Sequence, residues 1–182
     1  MKISSFTWAL ATLVLAFIVH ISMVLAIPHL SENDAWRRLL NNTKPNQMQI
    51  IENLQKGNQL WAFHAPDIKY AVCRYDVTRA PVHINFQILR AYWSIALYDD
   101  EGRNFYAADG FDLLRREMSL QLLGPDDIKD NTSTALPISV PSEQGIAVIR
   151  APIDNQVMEK NALENLKEAT CTQLPEAKRI KR

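Results

Sequence analysis

The sequence lacks an excess of charge of either sign, since 20 Lys and Arg balance 20 Asp and Glu over 182 residues. This neutrality argues against nucleic-acid binding, because nucleic-acid-binding proteins rely on clustered positive charge. With only five glycines and nine prolines, the chain is not collagen-like or of low complexity, and 47% apolar residues exclude a disordered chain. The length fits one domain, or one domain with an appendage.

The sequence also lacks the motifs that are typical of metal sites, catalytic nucleophiles and nucleotide-binding loops. Its four histidines form no HExxH or HxH pattern, and its two cysteines lack the spacing of a zinc site. There is no GxSxG, GxGxxG or P-loop. We therefore predict no metal site, no cofactor and no catalytic residue.

An uncharged apolar run occupies Phe6–Ile27, where 18 of 22 residues are apolar. As a helix it is about 33 Å long, enough to cross a hydrocarbon core of about 30 Å, and Pro28 is expected to end it. A cleavable signal peptide is the alternative, but signal h-regions have about 7–15 residues and Val24 suits a cleavage site poorly. We favour an uncleaved membrane anchor over residues 1–28.

One stripe of this helix carries small or polar side chains, namely Ala9, Thr12, Ala16 and His20. Such a stripe predicts that Thr12, Ala16 and His20 pack against another membrane helix. The alternative is a neutral His20 imidazole that is hydrogen-bonded near the membrane interface.

Beyond the anchor, the pattern divides the chain into three parts. Residues 29–66 are predicted to be a juxtamembrane helical or linker segment, with a short helix over Ala35–Leu40 and a mixed signal after Met48. Residues 67–174 are predicted to be a β-rich domain that a C-terminal helix closes. Residues 175–182 form a basic tail.

The β-rich part has a period of two. The clearest example is Val82 to Ile88, in which apolar and polar residues alternate. Residues 99–102 predict a hairpin turn, residues 145–151 a buried final strand, and residues 154–170 a helix capped by Asp154. The predicted fold is mainly β, an antiparallel sandwich or jelly-roll-like domain between helices.

Two polar groups are candidates for function. The carboxylates of Asp99, Asp100, Glu101, Asp109 and Asp112 suit general acid–base catalysis, although Asp also serves turn geometry. Arg74, Tyr98, Arg103 and Tyr106 suit an anionic or sugar-like ligand, although strand-end pairing also accounts for them.

Several short motifs occur in a recognisable order: His20-Ile21, Asp34-Ala35-Trp36, Cys73-Arg74-Tyr75-Asp76, Pro81-Val82, Trp93-Ser94, Leu97-Tyr98-Asp99 and Gly102-Arg103-Asn104-Phe105-Tyr106. In this order the chain resembles the short, single-span alphaproteobacterial members of the family called domain of unknown function 1254. The resemblance implies a membrane-anchored domain with a jelly-roll-like core. It also implies a companion envelope protein of the family of unknown function 1214, and it transfers no catalytic residue.

The two cysteines, Cys73 and Cys171, both follow the membrane span. An even count in an exported domain favours a disulfide, and the alternative is a buried Cys73 with a free Cys171 thiol. The count of basic residues on either side of the span would instead place the domain in the cytoplasm, since only Lys2 precedes the span and Arg37, Arg38 and Lys44 follow it.

Together these features predict a single-pass protein of the bacterial inner membrane with a periplasmic binding or assembly domain. The alternative is a hydrolase-like envelope enzyme that uses the carboxylates between Asp99 and Asp112.

Overall fold

The structure is a computed structural model of the chain, and it describes residues 5–30, 43–51, 65–88, 92–110, 117–125, 127 and 134–175. The chain divides into two compact units, Met1–Arg37 and Arg38–Arg182. The helix predicted over Ala35–Leu40 and the basic tail beyond residue 175 lie outside the described residues.

The first unit contains one long helix, α1, which runs from Ser5 to Leu30. Within it, Ser5–Ile27 is long and apolar enough to cross a membrane, with a mean hydropathy of 2.6. The expected end at Pro28 was wrong, because the helix continues for two residues beyond it. Pro28 lacks the N–H that would bond to the preceding turn, and its ring crowds the carbonyl four residues earlier, so the proline weakens the last turn but does not end the helix there.

The second unit is built from two β-sheets and one helix. The described strands are β1 Met48–Ile51, β2 Ile68–Asp76, β3 Val82–Gln87, β4 Ser94–Asp99, β5 Asn104–Asp109, β6 Glu117–Leu123, β7 Leu136–Ser139, β8 Gln144–Pro152 and β9 Thr170–Gln173, and helix α2 spans Gln156–Glu168. One sheet has the order β1-β2-β8-β4-β5 and the other has the order β7-β6-β3-β9. The pairs are antiparallel except β6 with β7, which are parallel.

The two sheets share one hydrophobic core. Alternate residues of β2 and β3, including Ala71, Cys73, Val82 and Ile84, are fully buried in a single cluster with residues of β4, β6 and β8. A strand with a period of two buries one face in this way. The predicted mainly β, sandwich-like fold is therefore confirmed, as is the alternation over Val82 to Ile88.

Helix α2 packs against β2 and β3 through buried Ala162 and Leu166. In its first turn, Glu159 forms an ion pair with the buried Lys69 of β2, with Oε1 at 2.7 Å from Nζ. The expected cap Asp154 was wrong by one residue, because the Asn155 side chain accepts a hydrogen bond from the Met158 N–H at 3.0 Å. An N-cap amide serves as well as a carboxylate.

Three short strands were not predicted. β1 lies inside the segment that we expected to be helical or linker, and its neighbour Asn46 exchanges hydrogen bonds with the backbone of Asp76. β7 and β9 have four residues each, and β9 replaces the expected end of the helix at Thr170, so β8 is not the final described strand. Such short strands form because a neighbouring strand supplies the pairing, a signal that local sequence does not carry.

Candidate functional site

The four candidate ligand residues do not converge on one site. Arg74 on β2 and Tyr98 on β4 both lie opposite Ile146 of β8, so they share one face of the five-stranded sheet. Tyr106 lies opposite Leu97, a core residue, and its side chain packs against the hydrophobic core. Arg103 lies in the turn after β4. Successive residues of a strand point to opposite faces of the sheet. Because Tyr106 pairs with Leu97, the residue before Tyr98, its side chain lies on the face opposite Tyr98.

We call the face that holds Arg74 and Tyr98 the outer face, since it points away from the shared core. Arg150 of β8 joins it and donates a hydrogen bond from Nη2 to the Tyr98 hydroxyl at 3.0 Å. Tyr70 and Ser94 lie opposite Arg150 on the neighbouring strands. Arg150 was not among the predicted site residues, although an arginine inside the apolar run of residues 145–151 was a usable signal.

The centre of the outer face is apolar and withdrawn from solvent. Val72, Ala96 and Val148 lie side by side across three strands and are 1%, 3% and 3% exposed. Next to them, the Nε of Arg74 is buried and has no hydrogen-bond partner within the described part of the chain. A buried guanidinium N–H without an acceptor is costly, so this position suits an acceptor such as a carboxylate, a carbonyl or a water.

Asp99 organises the turn between β4 and β5. Its carboxylate accepts hydrogen bonds from the backbone N–H groups of Glu101 and Arg103, at 3.1 and 2.8 Å, and from Arg103 Nε at 2.7 Å. Burial favours the neutral acid, but these bonds from Arg103 and Glu101 outweigh it and hold the pKa of Asp99 below its ordinary value. Arg103 correspondingly forms ion pairs with Asp99 and Glu101.

The candidate carboxylates do not form a catalytic pair among the described residues. Asp99 lies at one end of β4, whereas Asp109 lies opposite Ser94 at the other end, about 17 Å away at the usual rise per residue. Asp100 and Glu101 are exposed on the turn. Asp112 lies outside the described residues. General acid–base catalysis requires groups within reach of one substrate, and Asp99 and Asp109 are too far apart to act as such a pair.

His83 lies on the outward side of the second sheet, where its Nε2 is 2.7 Å from the Ser119 hydroxyl. Within the described residues, no three His, Cys, Asp or Glu side chains are grouped to hold a metal ion. His64 lies outside these residues. His83 therefore forms a cross-strand polar contact on the face where its strand pattern placed it.

One polar residue of the predicted packing stripe in α1, Thr12, is hydrogen-bonded within the helix. The Thr12 hydroxyl donates to the carbonyl groups of Trp8 and Ala9, at 2.8 and 3.0 Å, which satisfies it within the helix. Ala16 and His20 are exposed. Packing through Thr12, Ala16 and His20 stays a prediction.

Cys73 of β2 and Cys171 of β9 form a disulfide that joins the two sheets. Their Cα atoms are 6.3 Å apart, within the range that a disulfide can span. Both residues are buried, at 0% and 3% exposed. Strand β9, which was not predicted, therefore places Cys171 in the core. The sequence indicated only that Cys171 follows the C-terminal helix.

No model of a protein family and no curated protein matches the sequence. The VPA0106 protein from Vibrio parahaemolyticus is similar in structure, with a TM-score of 0.63 and 16% identity over 81% of this chain. The chain spans only 38% of that protein's length. An uncharacterised protein from Burkholderia cenocepacia matches at a TM-score of 0.45 and 11% identity, over 81% of this chain and 41% of its own. The first similarity supports the fold and carries no function.

Proposed function

We propose that the protein is anchored in the bacterial inner membrane by α1 and that its β domain lies in the periplasm, where it binds a companion protein without catalysing a reaction. The companion would be an envelope protein of the family of unknown function 1214, as the resemblance to the family of unknown function 1254 implies.

The anchor is supported by the length and composition of α1. Ser5–Ile27 has 23 residues, which corresponds to about 35 Å of helix against a hydrocarbon core of about 30 Å. Its side chains carry no formal charge. A helix of this kind is stable in a bilayer because every backbone bond is made within it.

The observation that carries the periplasmic assignment is the disulfide between Cys73 and Cys171. Structural disulfides persist in oxidising compartments and are rare in the cytosol. A buried bridge that joins two sheets is a structural one. It therefore outweighs the count of basic residues after the helix, because long domains translocate despite such charges.

Binding rather than catalysis is supported by how the polar groups are used. Asp99 and Arg103 are committed to a turn, and Asp109 lies at the far end of the same strand pair. Around its buried apolar centre, the outer face also carries the half-buried Arg74, Tyr98 and Arg150, residue types that are enriched where proteins recognise one another.

The topology is tested by labelling a single engineered thiol. Val157 on α2 is 71% exposed, and the two native cysteines are paired. In spheroplasts, a membrane-impermeant maleimide should label Val157→Cys in the full chain, and lysis should not increase the labelling. Labelling that requires lysis would place the domain in the cytoplasm and refute the periplasmic assignment.

The partner is tested by crosslinking the full chain in native membranes and identifying the adducts by mass spectrometry. A matched control joins α1 to an unrelated periplasmic domain, so that adducts of the anchor alone are subtracted. We expect a member of the companion family as the principal specific adduct. If the control captures the same proteins in the same amounts, the β domain has no such partner.

A further inference from the structure

β5 is the least protected sheet edge among the described strands. The other edge strands, β1, β7 and β9, have four residues each, and β7 contains Pro137. β5 has six residues, and its centre, Phe105 to Ala108, carries no charge. Proteins usually protect edges with short strands, prolines or charges, because an open edge pairs with another strand.

The backbone of Ala107 is directed away from β4. The Gly110 N–H donates to the Trp93 carbonyl at 2.8 Å, which makes these two a hydrogen-bonded pair. Pairs in an antiparallel ladder alternate, so Ala107 and Ala96 form a non-hydrogen-bonded pair. The N–H and C=O of Ala107 consequently point outward, and the residue is exposed. In the described chain, β5 is paired on its β4 side only.

We propose that β5 pairs antiparallel with β5 of a second copy of this chain, about a two-fold axis between the two Ala107 residues. The two five-stranded sheets then form one continuous ten-stranded sheet. In a two-fold antiparallel pair the central residue faces its own counterpart. Each Ala107 would donate to and accept from the other, as in an ordinary hydrogen-bonded pair.

Charge and the bulge disfavour two other positions of the axis on β5. An axis at Asp109 would set two carboxylates opposite each other, and like charges in that position are destabilising. An axis at Phe105 would fall where the register of β4 and β5 shifts between Leu97 and Tyr98, and a bulge disrupts the ladder. At Ala107 neither obstacle arises, and two methyl groups meet.

About this axis the facing positions nearest the centre are compatible in size, although Phe105 would face Asp109, and this compatibility favours a second copy as the occupant. Tyr106 would face Ala108 of the second copy, so a large side chain meets a small one on each side of the axis. Asn104 would face Gly110 in the same manner. The pairing also covers the open edge of both chains at once, and this closes the assembly at a dimer.

The proposal is tested on the full chain in detergent, with Ala107→Cys and the control Val157→Cys, which is also exposed but lies on α2. Facing Cα atoms in such a pair are about 5.5 Å apart. A short thiol–thiol crosslinker should therefore convert Ala107→Cys to a covalent dimer and leave Val157→Cys monomeric. Equal crosslinking of both variants, or of neither, would overturn the proposal.

A second measurement uses Ala107→Pro, which removes the outward N–H. Proline is tolerated at an edge position whose N–H faces solvent, so the domain should stay folded. Light scattering should give a dimer for the unmodified chain and a dimer dissociation constant at least about tenfold higher for Ala107→Pro. Ala107→Lys, which brings two charges together, should act in the same direction if the proline variant folds poorly. A monomeric unmodified chain, or a dimer that neither variant weakens, would contradict the proposal.

Discussion

At the scale of single residues, Asp99 stabilises the turn between β4 and β5 through the hydrogen bonds that its carboxylate accepts and through its negative charge. Its carboxylate accepts from two backbone N–H groups and from Arg103 while it is 2% exposed. A sequence pattern of acidic residues at a turn is equally consistent with a catalytic cluster and with such a structural role. Only the hydrogen bonds distinguish the two, because turn chemistry and catalysis use the same side chain.

Replacing this carboxylate should weaken the hairpin. We expect Asp99→Asn to lower the free energy of unfolding by about 2 kcal/mol at pH 7, because a charged acceptor is lost. The pKa of Asp99 is lowered in the folded state, so this stabilisation is present above the ordinary carboxyl pKa of about 4 and is lost as the pH falls through the lower folded value.

Urea unfolding of the full chain in detergent at pH 7 and near pH 3 measures this difference. Asp100→Asn, an exposed neighbour, is the matched control and should change stability little at either pH. An Asp99→Asn effect that is independent of pH would show that the charge is not responsible.

Gly145 is required by the close approach of a tyrosine. Tyr75 lies opposite it and donates its hydroxyl to the Tyr98 carbonyl at 3.0 Å. Burial raises the pKa of this hydroxyl, which keeps it protonated as a donor. A β-carbon at Gly145 would overlap with the Tyr75 hydroxyl and the Tyr98 carbonyl.

We therefore expect Gly145→Ala to destabilise the domain by about 3 kcal/mol, since the overpacked side chains cannot move freely. Tyr75→Phe alone should cost about 1 kcal/mol for the lost hydrogen bond. In the Tyr75→Phe background, Gly145→Ala should cost less, because part of the overlap is removed. Urea unfolding of the four proteins gives the coupling directly, and strictly additive effects would be inconsistent with this contact.

At the scale of elements, long periodic segments were predictable and short ones were not. β3 alternates over six residues and was correctly assigned, with its apolar positions buried. β1, β7 and β9 have four residues each, too few to show a period, and they depend on neighbours that are distant in sequence. The same limit applied to the candidate site. Arg74 and Tyr98 were predicted as ligand residues from the sequence, and that role stays a prediction; their shared face follows from the pairing of both strands with β8.

The disulfide connects β2 to β9 across a sequence separation of 98 residues. Closing so long a loop restricts the unfolded chain and stabilises the fold by about 4–5 kcal/mol at most. We expect dithiothreitol to lower the stability of the unmodified chain, because β9 then depends only on its pairing with β3 and on packing.

The matched control is the double variant Cys73→Ala and Cys171→Ala, which the reductant should not affect. Urea unfolding with and without dithiothreitol measures both proteins. If reductant leaves the unmodified chain unchanged, or if maleimide labels both cysteines before reduction, the bridge does not exist in the protein.

At the scale of the whole molecule, the question is whether α1 remains joined to the β domain. A signal peptide and an anchor both begin with an apolar helix near the N-terminus, so hydropathy alone does not separate them. Length does: the apolar segment Ser5–Ile27 exceeds the usual h-region of about 7–15 residues, and Val24 is a poor residue at the outer cleavage position. Its helix also continues through Pro28 to Leu30, which leaves the region of cleavage helical rather than extended.

We therefore expect the intact mass of protein purified from membranes to include residues 1–30, and the protein to resist extraction by carbonate. Deleting Leu13–Val19 shortens the 22-residue apolar run Phe6–Ile27 to signal-peptide length, about 15 residues, and provides the control. If cleavage can occur, this variant should release the β domain in soluble form. A mature N-terminus near Ile27 in the unmodified chain would disprove anchoring, and the β domain would then be a free periplasmic protein that any partner must meet by diffusion in three dimensions.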